Sequence, residues 1–109
     1  MTDLSALGSL TTVSGQFKLE RLNDLHDLSG LEGLQAVGTD PSHEWDDGLD
    51  LVISGNAVLE DVSALENVAW VGGDLVVRDN PALPAAAADR LATAIDHVSG
   101  RVVVRDNGP

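Results

Sequence analysis

The densest chemistry in the sequence lies in residues 39–48, Thr-Asp-Pro-Ser-His-Glu-Trp-Asp-Asp-Gly. Asp40, Glu44, Asp46 and Asp47 gather around Trp45 and His43, and Asp50 follows at once. Hard oxygen donors at this density are the kind that Ca²⁺ takes. The spacing is not that of an EF-hand, however, and no paired histidines suggest a transition metal. The same residues also read as a partner-contacting loop or as a simply solvated one. Catalysis finds less support. His26, His43 and His97 fall in different kinds of segment, and none is placed beside a plausible nucleophile. Gly72-Gly73 suits a tight turn before a strand rather than a phosphate-binding loop. The chain has no cysteine, which excludes disulfides, zinc–thiolate centres and thiol nucleophiles. The residues therefore point to a protein that is not an enzyme and needs no cofactor.

The elements that would position these residues are set by internal repetition. Asp3-Leu4-Ser5-Ala6-Leu7 recurs as Asp27-Leu28-Ser29-Gly30-Leu31 and as Asp61-Val62-Ser63-Ala64-Leu65. The first step is 24 residues and the second 34, the same period enlarged by the acidic insertion. An apolar pair follows each block: Leu10 and Val13, Leu34 and Val37, Val68 and Val71. Short strands come next, at Phe17-Lys18-Leu19, Leu51-Val52-Ile53, Leu75-Val76-Val77 and Val102-Val103-Val104. Units this small cannot each bury an apolar face, so they must stack on one another. Alternation along the strands turns Leu51, Ile53, Leu75, Val77, Val102 and Val104 inward. Asn56, Asn80 and Asn107 recur where the chain turns, and their amides are placed to bond their own repeat and the next as a structural ladder. In the final unit Leu83, Ala87, Leu91, Ile95 and Val98 share one helical face, with Pro81 or Pro84 to open the helix and Gly100 to close it. The block Asp-Leu-Ser-x-Leu followed by Leu-x-x-Val-Gly-Gly-x-Leu-x-Val-x-x-Asn, best kept in Leu59–Ala82, resembles the receptor L-domain and its bacterial relatives in the leucine-rich-repeat superfamily. That resemblance implies an α/β, right-handed β-solenoid of about four coils, with a parallel sheet and a helix in the last coil. It covers residues 1–109 as one domain with the insertion at 39–48, and it assigns no binding residue.

On such a frame the outward strand positions form columns. The central one is Lys18, Val52, Val76 and Val103, flanked by Gln16, Asp50, Asp74 and Arg101 on one side and Glu20, Ser54, Arg78 and Arg105 on the other. A valine stripe bordered by charge has the make-up of an interaction surface. Valine also simply favours strands, and a cross-strand pair such as Asp74 with Arg101 would support them. Trp70 aligns with Thr12 and Ala36, so it is expected half-exposed, as an interface anchor or as the seat of a folded-back Trp45. The last strand, Val102–Val104, is expected as an open parallel edge where self-association or a neighbouring domain could act.

Composition narrows the partners. Eighteen acidic residues against six basic ones give a net charge of −12, which repels nucleic acid and anionic membrane. No stretch approaches the ~18 apolar residues of a membrane span, and residues 1–10 lack the features of a signal peptide. As written the chain would be cytoplasmic; cut from a larger exported protein, it would sit at the cell surface. The function expected from sequence is protein recognition through Val52, Val76, Val103, Arg78, Arg105, Trp45 and Trp70. The alternatives are a self-assembling unit, including a homodimer, and a Ca²⁺-dependent binder using the acidic loop.

Overall fold

Strand formation in this chain follows from β-branched and aliphatic residues placed between turn residues. In Leu75-Val76-Val77-Arg78 the alternation buries Leu75 and Val77 and turns Val76 and Arg78 to the other face. The computed structural model describes residues 8–22, 24–39 and 49–108. In chain order the elements are β1 (Thr12–Val13), β2 (Phe17–Glu20), β3 (Ala36–Val37), β4 (Leu51–Ser54), β5 (Trp70–Val71), β6 (Leu75–Arg78), α1 (Ala85–Ala94), β7 (His97–Val98) and β8 (Val102–Arg105). A short 3₁₀ helix covers Ser63–Asn67, and α1 opens after Pro84.

Two parallel sheets result. The longer strands pair in the order β2-β4-β6-β8, and the two-residue strands in the order β1-β3-β5-β7. Register follows the repeat: Lys18, Val52, Val76 and Val103 are aligned neighbours, as are Thr12, Ala36, Trp70 and His97. Between β5 and β6 the chain turns at Gly72-Gly73. A Cβ on Gly72 would collide with the Gly38 carbonyl oxygen, so only glycine lets the two repeats approach here.

Aliphatic side chains fill the interior. Leu25, Leu28, Leu31 and Leu34 are matched 34 residues later by Leu59, Val62, Leu65 and Val68, all at most 1% exposed. From the last unit, Leu83, Ala88, Leu91 and Ile95 join them. Asparagines tie the repeats together along one line. Asn80 Nδ2 donates to the Ile53 carbonyl (3.1 Å) and to Asn107 Oδ1 (3.0 Å), while Asn80 Oδ1 accepts from Asn56 N (3.2 Å) and Nδ2 (3.0 Å). Asn56 Nδ2 reaches the Leu19 carbonyl, and Asn107 Nδ2 that of Val77. The residue just after each long strand takes positive φ: Arg21, Gly55, Asp79 and Asp106.

The architecture corrects the expectation of a curved, leucine-rich-repeat solenoid with one sheet, and with it the resemblance to receptor L-domains. Among the described residues, two separate four-stranded parallel sheets and one α-helix form a compact globule with a radius of gyration of 12.7 Å and extents of 37 × 28 × 21 Å. A compact domain of this length is expected at about 13 Å. The physical reason is that the two-residue segments ahead of the glycine turns also pair across repeats and so form a second ladder of their own. The readings that rested on a solenoid sheet face, protein recognition and self-assembly alike, go with it. The supposed valine stripe is also discontinuous: Val52 is only 8% exposed and Ser54 7%. Val102, expected inward, is 51% exposed on the edge strand β8.

Candidate functional site

The outer side of β2, β4, β6 and β8 carries a shallow cleft of about 300 Å³. Its floor is Val52, Val76 and Val103, the first buried and the other two half-buried. Gln16 and Asp50 stand on one side, Glu20, Arg78 and Arg105 on the other, and Lys18 belongs to the central column. The acids here are already engaged. Asp50 Oδ1 accepts the Asp74 N–H at 2.8 Å, and Glu20 takes the Ser54 hydroxyl at 3.0 Å and Lys18 Nζ at 3.7 Å. Asp74 Oδ1 likewise accepts the Arg101 backbone N–H at 2.8 Å, a main-chain contact in place of the expected charge pair.

The arginines are less committed. Arg78 and Arg105 are directly aligned on β6 and β8, and like charges in that position repel. Each has an acidic neighbour only at the edge of contact, Asp79 at 3.8 Å and Asp106 at 3.9 Å. Arg78 Nε is enclosed and makes no hydrogen bond, which leaves a donor without an acceptor. One end of the cleft thus offers two guanidinium groups beside aliphatic surface. Sequence placed both arginines in one column, but it carried no sign of the unsatisfied Nε.

On the other sheet Trp70 is 42% exposed and stacks on His97, with ring centroids 4.2 Å apart and planes inclined by 14°. His97 Nε2 lies 3.0 Å from Ser99 Oγ. Sequence reading missed this contact, although residues two apart on an extended segment share a face. His26 Nδ1 lies 3.5 Å from Glu60 on the exposed surface.

The recurring Asp-x-Ser blocks have a structural task. Asp27 Oδ1 accepts the Ser29 N–H at 2.9 Å, and Asp61 Oδ1 the Ser63 N–H at 2.8 Å. Ser63, through its hydroxyl and then its backbone N–H, holds the Asp61 carboxyl below the usual aspartate range. Trp45, His43, Asp40, Glu44, Asp46 and Asp47 lie outside the described residues. Among the described residues, no three carboxylate or imidazole side chains are grouped so as to hold a metal ion, Asp50 included. No helix among them is long and apolar enough to cross a membrane. Comparison with protein-family models, with curated proteins and with solved structures finds no match for this chain.

Proposed function

We propose that the chain is a non-catalytic binding domain whose cleft over β2, β4, β6 and β8 takes a carboxylate joined to a short aliphatic body. The carboxylate belongs to a free acid or to the C-terminus of a peptide. The observation that carries this reading is the aligned Arg78–Arg105 pair beside a valine floor. A carboxylate between the guanidinium groups would accept from their outer N–H groups and relieve their repulsion. The aliphatic body would lie on Val76 and Val103. The net charge of −12 opposes any anion, but at physiological salt that field is screened beyond about 8 Å, so the local pair governs. Partly exposed arginines and a shallow floor support modest affinity, with Kd on the order of 0.1–1 mM.

The test is an NMR titration of ¹⁵N-labelled protein with hexanoate and with a short peptide bearing a free C-terminus. Hexanol and the amidated peptide serve as neutral controls. Saturable shifts at Val76, Arg78 and Val103, weakened at least tenfold in the Arg78→Gln/Arg105→Gln double variant, are expected. Binding by only one of the two acids identifies the source. No saturable shift with either up to about 20 mM, or equal binding by the double variant, overturns the reading.

A further inference from the structure

The outer edge of β8 is a second place where the chain can hold a ligand, and it shares only Arg105 with the cleft. β8 stands last in the order β2-β4-β6-β8, and its far side carries no strand among the described residues. The ladder shows which of its backbone groups are spare. The Leu75 N–H donates to the Arg101 carbonyl at 2.8 Å, and the Asp79 N–H to that of Arg105 at 3.3 Å. Backbone direction alternates along a strand, so Arg101, Val103 and Arg105 turn their main-chain groups toward β6. Val102 and Val104 turn theirs to the open edge. We propose that this edge accepts an extended acidic peptide segment as a fifth strand, held by the N–H and C=O groups of Val102 and Val104.

Side-chain alternation selects the occupant. Val102 is aligned with Leu75 and Val104 with Val77, so both valines stand on the core side of the sheet. Val102 is nevertheless 51% exposed and Val104 only half-buried, which leaves apolar surface for a neighbouring strand to cover. Arg101, Val103 and Arg105 fall on the outer side, and both arginines are exposed. A fitting segment therefore carries apolar residues across from Val102 and Val104, and carboxylates across from Arg101 and Arg105. Charges on an edge keep unsuited strands away. A second β8 is one of these, because antiparallel pairing about Val103 would set Arg101 against Arg105 twice, and like charges there repel. As at the cleft, the two arginines act at contact range, whereas the net charge of −12 is screened beyond about 8 Å.

The probe is the capped peptide acetyl-Ser-Glu-Val-Thr-Val-Glu-Ser-amide, which reads the same in both directions and has no terminal carboxylate. It is titrated into the ¹⁵N-labelled full chain, with NMR reading both shifts and amide hydrogen exchange. Saturable binding is expected, with exchange slowed at the Val102 and Val104 N–H groups. The same peptide with lysines in place of its glutamates should bind about fivefold more weakly or worse. Val102→Pro removes an outward N–H at the first residue of an edge strand, a position that tolerates proline, so it should abolish binding while the urea midpoint stays near that of the parent. Arg101→Gln, outside the cleft, should weaken binding about fivefold, whereas Arg78→Gln, which halves the arginine pair of the cleft, should leave it unchanged. The reverse pattern, with shifts centred on Val76 and Arg78, places a glutamate side chain in the cleft and overturns the edge site. No saturable binding up to about 5 mM, or undiminished binding by a folded Val102→Pro variant, also overturns it. Equal binding of the lysine peptide overturns the acidic class.

Discussion

Replacing Asn80 by alanine tests what holds the repeats together. Asn80 is fully buried, and its amide makes four hydrogen bonds, two as donor and two as acceptor. In the variant, Asn56 Nδ2 keeps its bond to Leu19 O, and Asn107 Oδ1 keeps the residue-80 backbone N–H at 3.4 Å. The Asn56 backbone N–H loses the acceptor it has in Asn80 Oδ1, inside a region that water does not reach. An orphaned buried N–H costs about 1–3 kcal/mol, and the other lost bonds about 1 kcal/mol each. The expected loss is therefore about 4–6 kcal/mol, a large part of the 5–15 kcal/mol typical of a domain. Asn107→Ala is the internal control. Asn107 is only half-buried, so solvent can replace part of what it provides, and its loss should be about 1–2 kcal/mol. Urea unfolding followed by circular dichroism measures both. With a slope near 1.5 kcal/mol per molar, Asn80→Ala should lower the midpoint by about 3–4 M. A shift under about 1 kcal/mol, or an Asn107→Ala loss as large as that of Asn80→Ala, would refute the ladder as the main tie between repeats.

Two further outcomes follow from the turns. Gly72→Ala should cost more than about 3 kcal/mol, because its Cβ meets the Gly38 backbone, while Gly33→Ala, whose nearest neighbour is Leu10 O at 3.4 Å, should fold with a midpoint near that of the parent in the same urea assay. Asp61 titrates below its unfolded value, so its contribution is present above about pH 4 and lost as pH falls through the folded value; Asp61→Asn should therefore be less stable than the parent at neutral pH and converge with it in acid, and parallel stability curves from pH 7 to about pH 2 would refute that.

How much of this was legible in the sequence depended on the length of each signal. Three of the four longer strands announced themselves through aliphatic triplets, the first through Phe17-Lys18-Leu19, and the asparagines through their recurrence after the last three. Of the five residues expected on one helical face, only Ala87 and Leu91 lie in α1; Leu83 precedes the helix, Ile95 follows it and Val98 belongs to β7. The second sheet could not be read. A two-residue strand such as Trp70-Val71 has no alternation to detect, and its ladder exists only once the repeats are aligned in space. Missing it made a one-sheet, curved form the natural expectation and hid the pairing of Trp70 with His97. The burial of Val52 was equally invisible, since an outward position on a strand does not reveal how far its neighbours' side chains close over it.

The residues that repeat and those that break the repeat have different tasks. Asp27 and Asp61 serve the backbone two residues ahead, and Asn56, Asn80 and Asn107 serve neighbouring carbonyls. Such tasks arise in every unit, so the same residue types return. The column Glu20, Ser54, Arg78, Arg105 instead changes from acid to base along β2, β4, β6 and β8. The column Thr12, Ala36, Trp70, His97 changes from small to aromatic along the other sheet. The aligned arginines repel, whereas the Trp70–His97 stack is a cross-strand pair that supports its sheet. Both changes gather their side chains at the same end of their sheets, toward β7 and β8. A ligand that receives the guanidinium groups would account for an aligned arginine pair that folding alone does not require.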